Sequence, residues 1–275
     1  MQPDCSPARC APGATVAGPT GLDGWHGRRA CDGCGRREWH NRAAMPRSPA
    51  QLILIPGLAA NAVMWRNQLA ALSARWRTEV SLVHFAHDRI EDMAAALLRE
   101  HEGELVLCGA SMGGIIAMEA VRQAPQRIRG LALLGTNARP ENEAMRALRC
   151  DAIRLFEAGR SAEVLRANLM LAFHASRASD AELTGSYLSF LLEAGSAALV
   201  RQNRAIMDRP DARGHLAAVR CPTLVLCGDS DLLTPPECSR EIAALIGHAE
   251  LQLLAHCGHM LTMEQPEAVN AALLA

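Results

Sequence analysis

From residue 50 onward, short apolar runs alternate with segments that place apolar residues on one helical face. Runs of four to eight apolar residues between turn signals are typical of buried strands. The predicted strands are Gln51–Ile55, Val80–Phe85, Leu105–Cys108, Ile128–Leu134, Leu224–Cys227 and Leu251–Leu254. The predicted helices are Asn67–Trp76, Ile90–Glu100, Ile115–Val121, Pro236–Ile246 and one that begins near Glu264. This alternation predicts an α/β fold with a mostly parallel central sheet flanked by helices.

Residues 138–218 interrupt the alternation, because amphipathic segments follow one another there with no strand between them. The predicted helices of this block are Ala144–Ala158, Ser161–Phe173, Asp180–Glu193 and Ala197–Met207. Open α/β sheets bind ligands at the carboxyl ends of their strands. We therefore predict that residues 45–137 and 219–275 form the core and that 138–218 form a helical cap over its pocket. Met145, Phe156, Met170, Phe173, Tyr187 and Phe190 are candidate pocket residues, with packing inside the cap as the alternative.

The first 44 residues have a different composition, with one Val, one Leu and no Ile or Phe. Such a segment buries too little apolar surface to offset its ordering entropy. It is predicted to be a disordered leader or the product of a start codon assigned too far upstream, with Met45 as the true start. A zinc site on Cys31-x-x-Cys34 is a weaker alternative, since no second pair with matching spacing accompanies it. A signal peptide over Leu52–Ile55 is disfavoured because its cleavage would remove a strand.

Net charge and the placement of cysteines restrict the expected partners and cellular compartment of the protein. The net charge is −1, and all 28 basic residues are arginine. This balance predicts no nucleic-acid or membrane-surface partner, and no run reaches the roughly 18–20 apolar residues of a membrane span. Several of the ten cysteines fall inside apolar strands or lack framework spacing, which favours a reducing, cytoplasmic location.

The run Leu105–Cys108 leads directly into Gly109-Ala110-Ser111-Met112-Gly113. Gly-x-Ser-x-Gly between a strand and a helix is the spacing of a nucleophile elbow, where small flanking residues leave room for a sharp turn. The alternative is a small-residue turn that only packs a helix on a sheet. The strand before Ser111 and the helix after it favour the nucleophile.

A serine nucleophile needs a general base and an orienting acid, which follow it in this chain order: acid, then histidine. His259 lies in a loop just past the last predicted strand, beside the small Gly258, and is preferred to His256. For the acid, Asp231 precedes an apolar pair in the loop after the preceding strand, whereas Asp229 suits a local turn. Glu141 is a more distant alternative.

Taken together, residues 50–275 resemble the α/β-hydrolase fold superfamily. The motifs that carry the resemblance are Pro56-Gly57-Leu58, Gly109-Ala110-Ser111-Met112-Gly113, Gly228-Asp229-Ser230-Asp231, Thr234-Pro235, Gly258-His259 and Glu264-Gln265-Pro266. The resemblance implies an eight-stranded type of core with a helical cap. It also implies that Ser111, Asp231 and His259 are the nucleophile, acid and base. The backbone N–H groups of Leu58 and Met112 are the expected oxyanion donors.

These observations predict a hydrolase that cleaves a small carboxylic ester through an acyl-enzyme, without cofactor or metal. Cleavage of carbon–carbon bonds, cofactor-free perhydrolysis and a non-catalytic ligand-binding protein of the same fold are the alternatives. Pro56-Gly57 replaces the His-Gly common among relatives, and Leu58-Ala59-Ala60-Asn61 lacks the Gly and Pro usual in carbon–carbon hydrolases. The expected partner is a small-molecule substrate, and the sequence leads to no prediction of oligomeric state.

Overall fold

The computed structural model describes residues 50–275. The predictions for residues 1–44, including the leader, the early start codon and the zinc site at Cys31 and Cys34, lie outside the described residues.

The sheet has six strands in the order β2-β1-β3-β4-β5-β6, and every neighbouring pair is parallel. The strands are β1 (Gln51–Ile55), β2 (Thr78–Val80), β3 (Leu105–Ala110), β4 (Ile128–Leu134), β5 (Thr223–Gly228) and β6 (Glu250–Leu254). The predicted fold class is thus confirmed, although the eight-stranded type of core is wrong for residues 50–275, where the sheet is six-stranded.

Side chains of the central strands alternate between two apolar layers. Ile53 and Leu107 belong to one layer, whereas Leu54 and Cys108 belong to the other. Successive residues of a strand point to opposite faces, so a sheet covered on both sides needs nearly continuous apolar strands. This requirement explains why the strands were readable as short apolar runs.

Helices of the core cover both faces of the sheet. They are α1 (Arg66–Leu72), α2 (Ile90–Glu100), α3 (Met112–Gln123), α9 (Pro236–Ile246), α10 (Leu261–Glu264) and α11 (Pro266–Leu274). Helix α2 packs against α3, and α1 packs against α11. Because neighbouring strands are parallel, the carboxyl ends of β3, β5 and β6 lie at the same edge of the sheet.

The prediction of a strand over Val80–Phe85 is correct only at Val80, because β2 begins at Thr78 and residues 81–85 are not part of any strand. Strand β2 stops at Val80, and Val83–Phe85 form one turn of 3-10 helix. Val83 and His84 are buried in that turn. A buried turn and a buried strand have the same apolar pattern over so few residues, and periodicity alone does not separate them.

Between β4 and β5 the chain forms only helices: α4 (Glu143–Glu157), α5 (Ser161–Ala167), α6 (Leu169–Ala172), α7 (Ala181–Met207) and α8 (Arg213–Leu216). The single helix predicted over 161–173 divides at Asn168. The two helices predicted over 180–207 are confirmed as the two helical halves of α7, which meet at a kink where the backbone of Gly195 is not helical.

Helix α7 is 27 residues long, and by length and composition it could cross a membrane. It packs against α4 and α5, and Phe190, Leu191 and Leu199 join the apolar layer beneath it. Gly195 interrupts its helical backbone at φ 78 and ψ 162. We therefore interpret α7 as the core helix of the segment between β4 and β5.

Candidate active site

Ser111 occupies the sharp turn between β3 and α3, with φ 52 and ψ −116. A non-glycine residue with positive φ is strained and is held in place by its surroundings. A Cβ atom at Gly109 would lie 2.2 Å from the Gly113 carbonyl oxygen, and one at Gly113 would lie 2.0 Å from that of Ile55. Both glycines are thus required for the close approach of strand and helix that sets this turn.

The structure brings Asp231 and His259 together at the carboxyl edge of the sheet. Asp231 lies in the loop after β5, His259 in the loop after β6, and Asp231 Oδ2 is 2.8 Å from His259 Nδ1. A carboxylate only accepts hydrogen bonds, so Nδ1 carries the proton and Nε2 is left as the acceptor. Asp231 also accepts the Thr234 hydroxyl at 2.8 Å and the N–H groups of Leu233 and Thr234 at 2.9 Å.

Burial and charge act in opposite directions on this pair. Burial raises the pKa of Asp231, but His259 and the hydrogen bonds that Asp231 accepts outweigh it and hold the pKa below its ordinary value. Burial lowers the pKa of His259, and the Asp231 carboxylate outweighs it, so this pKa lies above 6.5. The pair is therefore arranged to stabilise a positive charge on the imidazole.

The rival residues lie elsewhere. Asp229 is exposed and accepts hydrogen bonds from the Ser230 hydroxyl and the Cys257 N–H. His256 is exposed and contacts the His174 ring edge to face, with ring centroids 5.7 Å apart. Glu141 pairs with two arginines and not with His259. None of these three has the buried carboxylate–imidazole contact of Asp231 and His259.

The two expected oxyanion donors are backbone N–H groups that have no hydrogen-bond acceptor among residues 50–275. Met112 is the first residue of α3, where an N–H group has no partner inside the helix. Leu58 lies in the loop after β1 and lines the same cavity as Ser111. Among residues 50–275, neither N–H group donates to a protein acceptor.

A buried amide that the sequence did not reveal sets the conformation of the loop after β1. Gln202 on α7 accepts the Ala59 N–H at 2.6 Å and donates to the His84 carbonyl at 3.0 Å. Ala59 itself has φ 54 and is fully buried. These contacts bridge more than a hundred residues of sequence, so no local pattern could have identified Gln202.

His84 supports the same loop from the other side. Its Nε2 lies 2.9 Å from the Ala60 carbonyl oxygen and therefore carries the proton. Burial, and secondarily the charge of Arg201, lowers the pKa of His84 to about 4. The imidazole of His84 is consequently neutral near neutral pH.

We expect Gln202→Leu to lower kcat by about 10- to 100-fold with little change in KM, because loss of one oxyanion donor costs about 10²–10³ in kcat and this variant only displaces the Leu58 N–H. The measurement is steady-state ester hydrolysis together with thermal unfolding. Gln51→Leu is the matched control, since Gln51 is a buried glutamine at the opposite end of β1. Equal kcat in Gln202→Leu and wild type would refute the role of Gln202.

The loop that carries His259 is hydrogen-bonded to residues that precede α7. The N–H groups of His259 and Met260 both donate to the Ala172 carbonyl at 3.0 Å. The buried Glu264 carboxylate accepts the Gly258 N–H at 3.1 Å and the His174 N–H at 2.8 Å. Burial raises the pKa of Glu264, and the N–H groups it accepts only partly oppose this.

A cavity of about 460 Å³ lies above Ser111, and Leu58, His259 and Thr234 are part of its wall. Of the candidate pocket residues, Met145, Phe156, Tyr187 and Phe190 line it. Phe173 instead packs in the apolar layer, and Met170 is exposed to solvent. The volume lies in the range of sites for small organic ligands.

Metal and disulfide chemistry have no support in the described residues. Within 50–275, no group of three or more His, Cys, Asp or Glu side chains is placed to hold a metal ion. The cysteines in this range are free thiols. What the site contains is a strained serine, a paired imidazole and carboxylate, and unpaired backbone donors.

Comparison with known proteins adds the family context. The family model for the alpha/beta hydrolase family matches residues 52–272. RutD of Serratia proteamaculans, which bears the name of a carbamate hydrolase, is 30% identical over 81% of this chain and 89% of its own. A thermophilic esterase from Thermogutta terrifontis is 26% identical with a TM-score of 0.75, over 83% of this chain and 89% of its own. An enol-lactonase from Burkholderia xenovorans has the same TM-score at 22% identity, over 82% and 91% respectively.

Proposed function

The chain belongs to the alpha/beta hydrolase family, and from that premise we propose that it is a serine hydrolase of small carboxylic esters. In this proposal Ser111 is the nucleophile, His259 the general base and Asp231 the acid that orients His259. The observation that carries it is the 2.8 Å contact between His259 Nδ1 and Asp231 Oδ2 beside the cavity that Ser111 lines.

The first half of the reaction forms an acyl-enzyme. Ser111 Oγ attacks the ester carbonyl carbon while His259 Nε2 accepts the hydroxyl proton. The imidazolium that results is stabilised by Asp231, which remains ionised. When the tetrahedral intermediate collapses, the carbon–oxygen bond to the alcohol breaks, and His259 returns the proton to the departing alkoxide.

The second half regenerates the enzyme. Water attacks the acyl carbon and gives a proton to His259, and the bond to Ser111 Oγ then breaks as the proton passes to that oxygen. In both tetrahedral intermediates, the N–H groups of Leu58 and Met112 would stabilise the oxyanion. A side-chain change at Leu58, which lines the cavity, should therefore alter the shape of the cavity more than the chemistry, whereas the Met112 side chain is buried in the core.

Carbamate hydrolysis is a second candidate, favoured by the 30% identity with the RutD relative. Its chemistry would use the same residues, because a carbamate carbonyl is also attacked by a nucleophile and passes through an oxyanion. The wall of the cavity favours esters with carbon chains, since Met145, Leu155, Phe156 and Leu191 contribute apolar surface to it.

Part of the proposal concerns organisation and location. We propose that residues 138–218 act as the cap of the site, since Met145, Phe156, Tyr187 and Phe190 from this range contribute to the cavity wall. A cytoplasmic location is consistent with the free thiols of the described cysteines.

The decisive experiment combines turnover with site mapping. We expect the wild-type protein to hydrolyse short p-nitrophenyl esters faster than p-nitrophenyl N-methylcarbamate. A fluorophosphonate probe should label a single peptide that contains Ser111, because only an activated serine reacts with it. Labelling of another residue would refute the assignment. Absence of both turnover and labelling would instead favour the non-catalytic binding protein.

A further inference from the structure

Arg149 is the one arginine among the residues that line the cavity within the described part of the chain. It lies on α4, near the apolar side chains of Met145 and Leu148 that also face the cavity. Its Nε donates to Glu141 Oε2 at 2.6 Å, and its Nη1 donates to Asn203 Oδ1 at 2.8 Å. The guanidinium is therefore held in one orientation, with 23% of the side chain exposed.

The charge of Arg149 is only half cancelled. Glu141 also accepts a hydrogen bond from Arg209 Nη1 at 2.8 Å, so one carboxylate serves two guanidinium groups. The side chains of Glu141 and Arg209 are 5% and 4% exposed. The other hydrogen bonds of the Arg209 guanidinium go to the carbonyl oxygens of Arg139 and Ile206. One positive charge is left in excess, and Arg149 is the member of the trio that reaches the cavity.

The acidic residue on the same wall does not remove this excess. Asp151 also lines the cavity, but its side chain is 61% exposed and paired with Arg154 on the next turn of α4. Exposed pairs of this kind are screened by solvent. Burial raises the pKa of Glu141, but Arg149 and Arg209 outweigh it, so the pKa lies below its ordinary value and the carboxylate stays ionised.

A guanidinium on an apolar wall favours a particular kind of ligand. Its planar donors match the two oxygens of a carboxylate, and a charge-assisted hydrogen bond is stronger where water is excluded. Among residues 50–275, the Nη2 of Arg149 donates to no protein acceptor. A neutral substrate would cover this charge without compensating it, which is unfavourable.

We propose that Arg149 binds a carboxylate of the substrate, so that the preferred substrates are esters or lactones whose acyl or alcohol part carries a free carboxylate. This inference rests on the proposed function and assigns its substrate class. It makes Arg149 a residue of specificity, separate from the residues that break the ester bond.

The test compares substrates of equal length that differ in one charge. The mono-p-nitrophenyl ester of glutaric acid is paired with p-nitrophenyl pentanoate, and kcat/KM is measured for wild type, Arg149→Met and Arg149→Lys. We expect wild type to prefer the charged ester. Arg149→Met should lower kcat/KM for the charged ester by about 10- to 100-fold, the usual effect of a hydrogen bond to a charged group. Activity on the neutral ester should not fall and should rise in Arg149→Met, because the neutral acyl chain then no longer covers an uncompensated charge. Arg149→Lys should fall between wild type and Arg149→Met.

Arg146→Met is the matched control, since Arg146 lies on the same helix, pairs with Asp208 at 3.1 Å and does not line the cavity. It should leave the ratio of charged to neutral activity unchanged. If Arg149→Met lowers both activities equally, Arg149 has only a structural role, in which its hydrogen bond to Asn203 holds α4 in place, and the inference is wrong.

A second measurement covers the case in which Arg149→Met does not fold. Glutarate should inhibit wild-type hydrolysis of the neutral ester competitively, and more strongly than its uncharged analogue glutaramide does. Equal inhibition by the diacid and the diamide would overturn the inference. Failure of the proposed function has a different signature, because wild type would then hydrolyse neither ester.

Discussion

Ser111→Ala is expected to reduce kcat for ester hydrolysis by about 10⁴- to 10⁶-fold, the range seen when a triad nucleophile is removed. The reason is that no other side chain in the described residues combines a hydroxyl, an elbow turn with positive φ and a place on the cavity wall beside His259. Alanine carries the same Cβ as serine and meets the same strain at φ 52, so the fold should be retained.

The measurement is single-turnover and steady-state hydrolysis of a p-nitrophenyl ester, with thermal unfolding recorded for each protein. Ser189→Ala is the control, because Ser189 lies on α7 and bonds only to Glu193 on the next turn. Turnover by Ser111→Ala at the wild-type rate would exclude acyl-enzyme chemistry at this serine.

Asp231→Asn should lower kcat by about 10⁴-fold, because the corresponding exchange in a serine triad reverses the tautomer of the histidine. The amide would still accept the Leu233 and Thr234 N–H groups through one oxygen, as Asp231 Oδ1 does at 2.9 Å. Its NH₂ group would face His259 Nδ1, which must then accept, and Nε2 would carry a proton toward Ser111. Local structure would persist while the base is lost.

The same variant has a consequence for pH dependence. In the proposed mechanism His259 acts as a base only when neutral, and its pKa lies above the ordinary value of 6.5, since Asp231 outweighs the effect of burial. The acid limb of kcat/KM, which reports the free enzyme, should therefore lie above pH 6.5. Without the carboxylate, burial dominates, and the residual activity of Asp231→Asn should have its acid limb below 6.5.

Asp229→Asn is the matched control for both effects, since Asp229 is in the same loop but exposed. It should keep the wild-type rate and pH profile. A larger loss in Asp229→Asn than in Asp231→Asn would reverse the assignment of the acid, despite the contact of 2.8 Å between Asp231 and His259.

Most of the fold could be predicted because each central strand is buried on both faces. Leu105–Ala110 and the Leu131–Leu134 part of β4 are therefore continuous apolar runs, and helix Pro236–Ile246 has the predicted bounds. The edge of the sheet that β2 forms was less predictable. Strand β2 pairs only with β1, spans three residues and is followed by a buried turn that has the same composition as a strand.

The candidate site was readable where chemistry is tied to short motifs. Ser111, Asp231 and His259 each follow a strand that ends at the same edge, so their proximity follows from parallel topology. Gln202 and Arg149 could not be predicted from the sequence, because no local pattern distinguishes them from ordinary polar residues on helices. Their roles come from contacts with Ala59 and Glu141, which depend on how helices α4 and α7 settle above the sheet.

The shared carbonyl of Ala172 limits how this enzyme could be re-engineered by exchange of modules. Residues 138–218 look like a self-contained insert, yet the loop of His259 uses Ala172 as the acceptor for two of its N–H groups. A Cβ at Gly258 would also lie 2.5 Å from the His174 nitrogen. A chimera that receives a relative's insert must therefore import a matching Ala172–His174 backbone, or the loop that holds His259 will lose two of its hydrogen bonds at the same time as the old specificity.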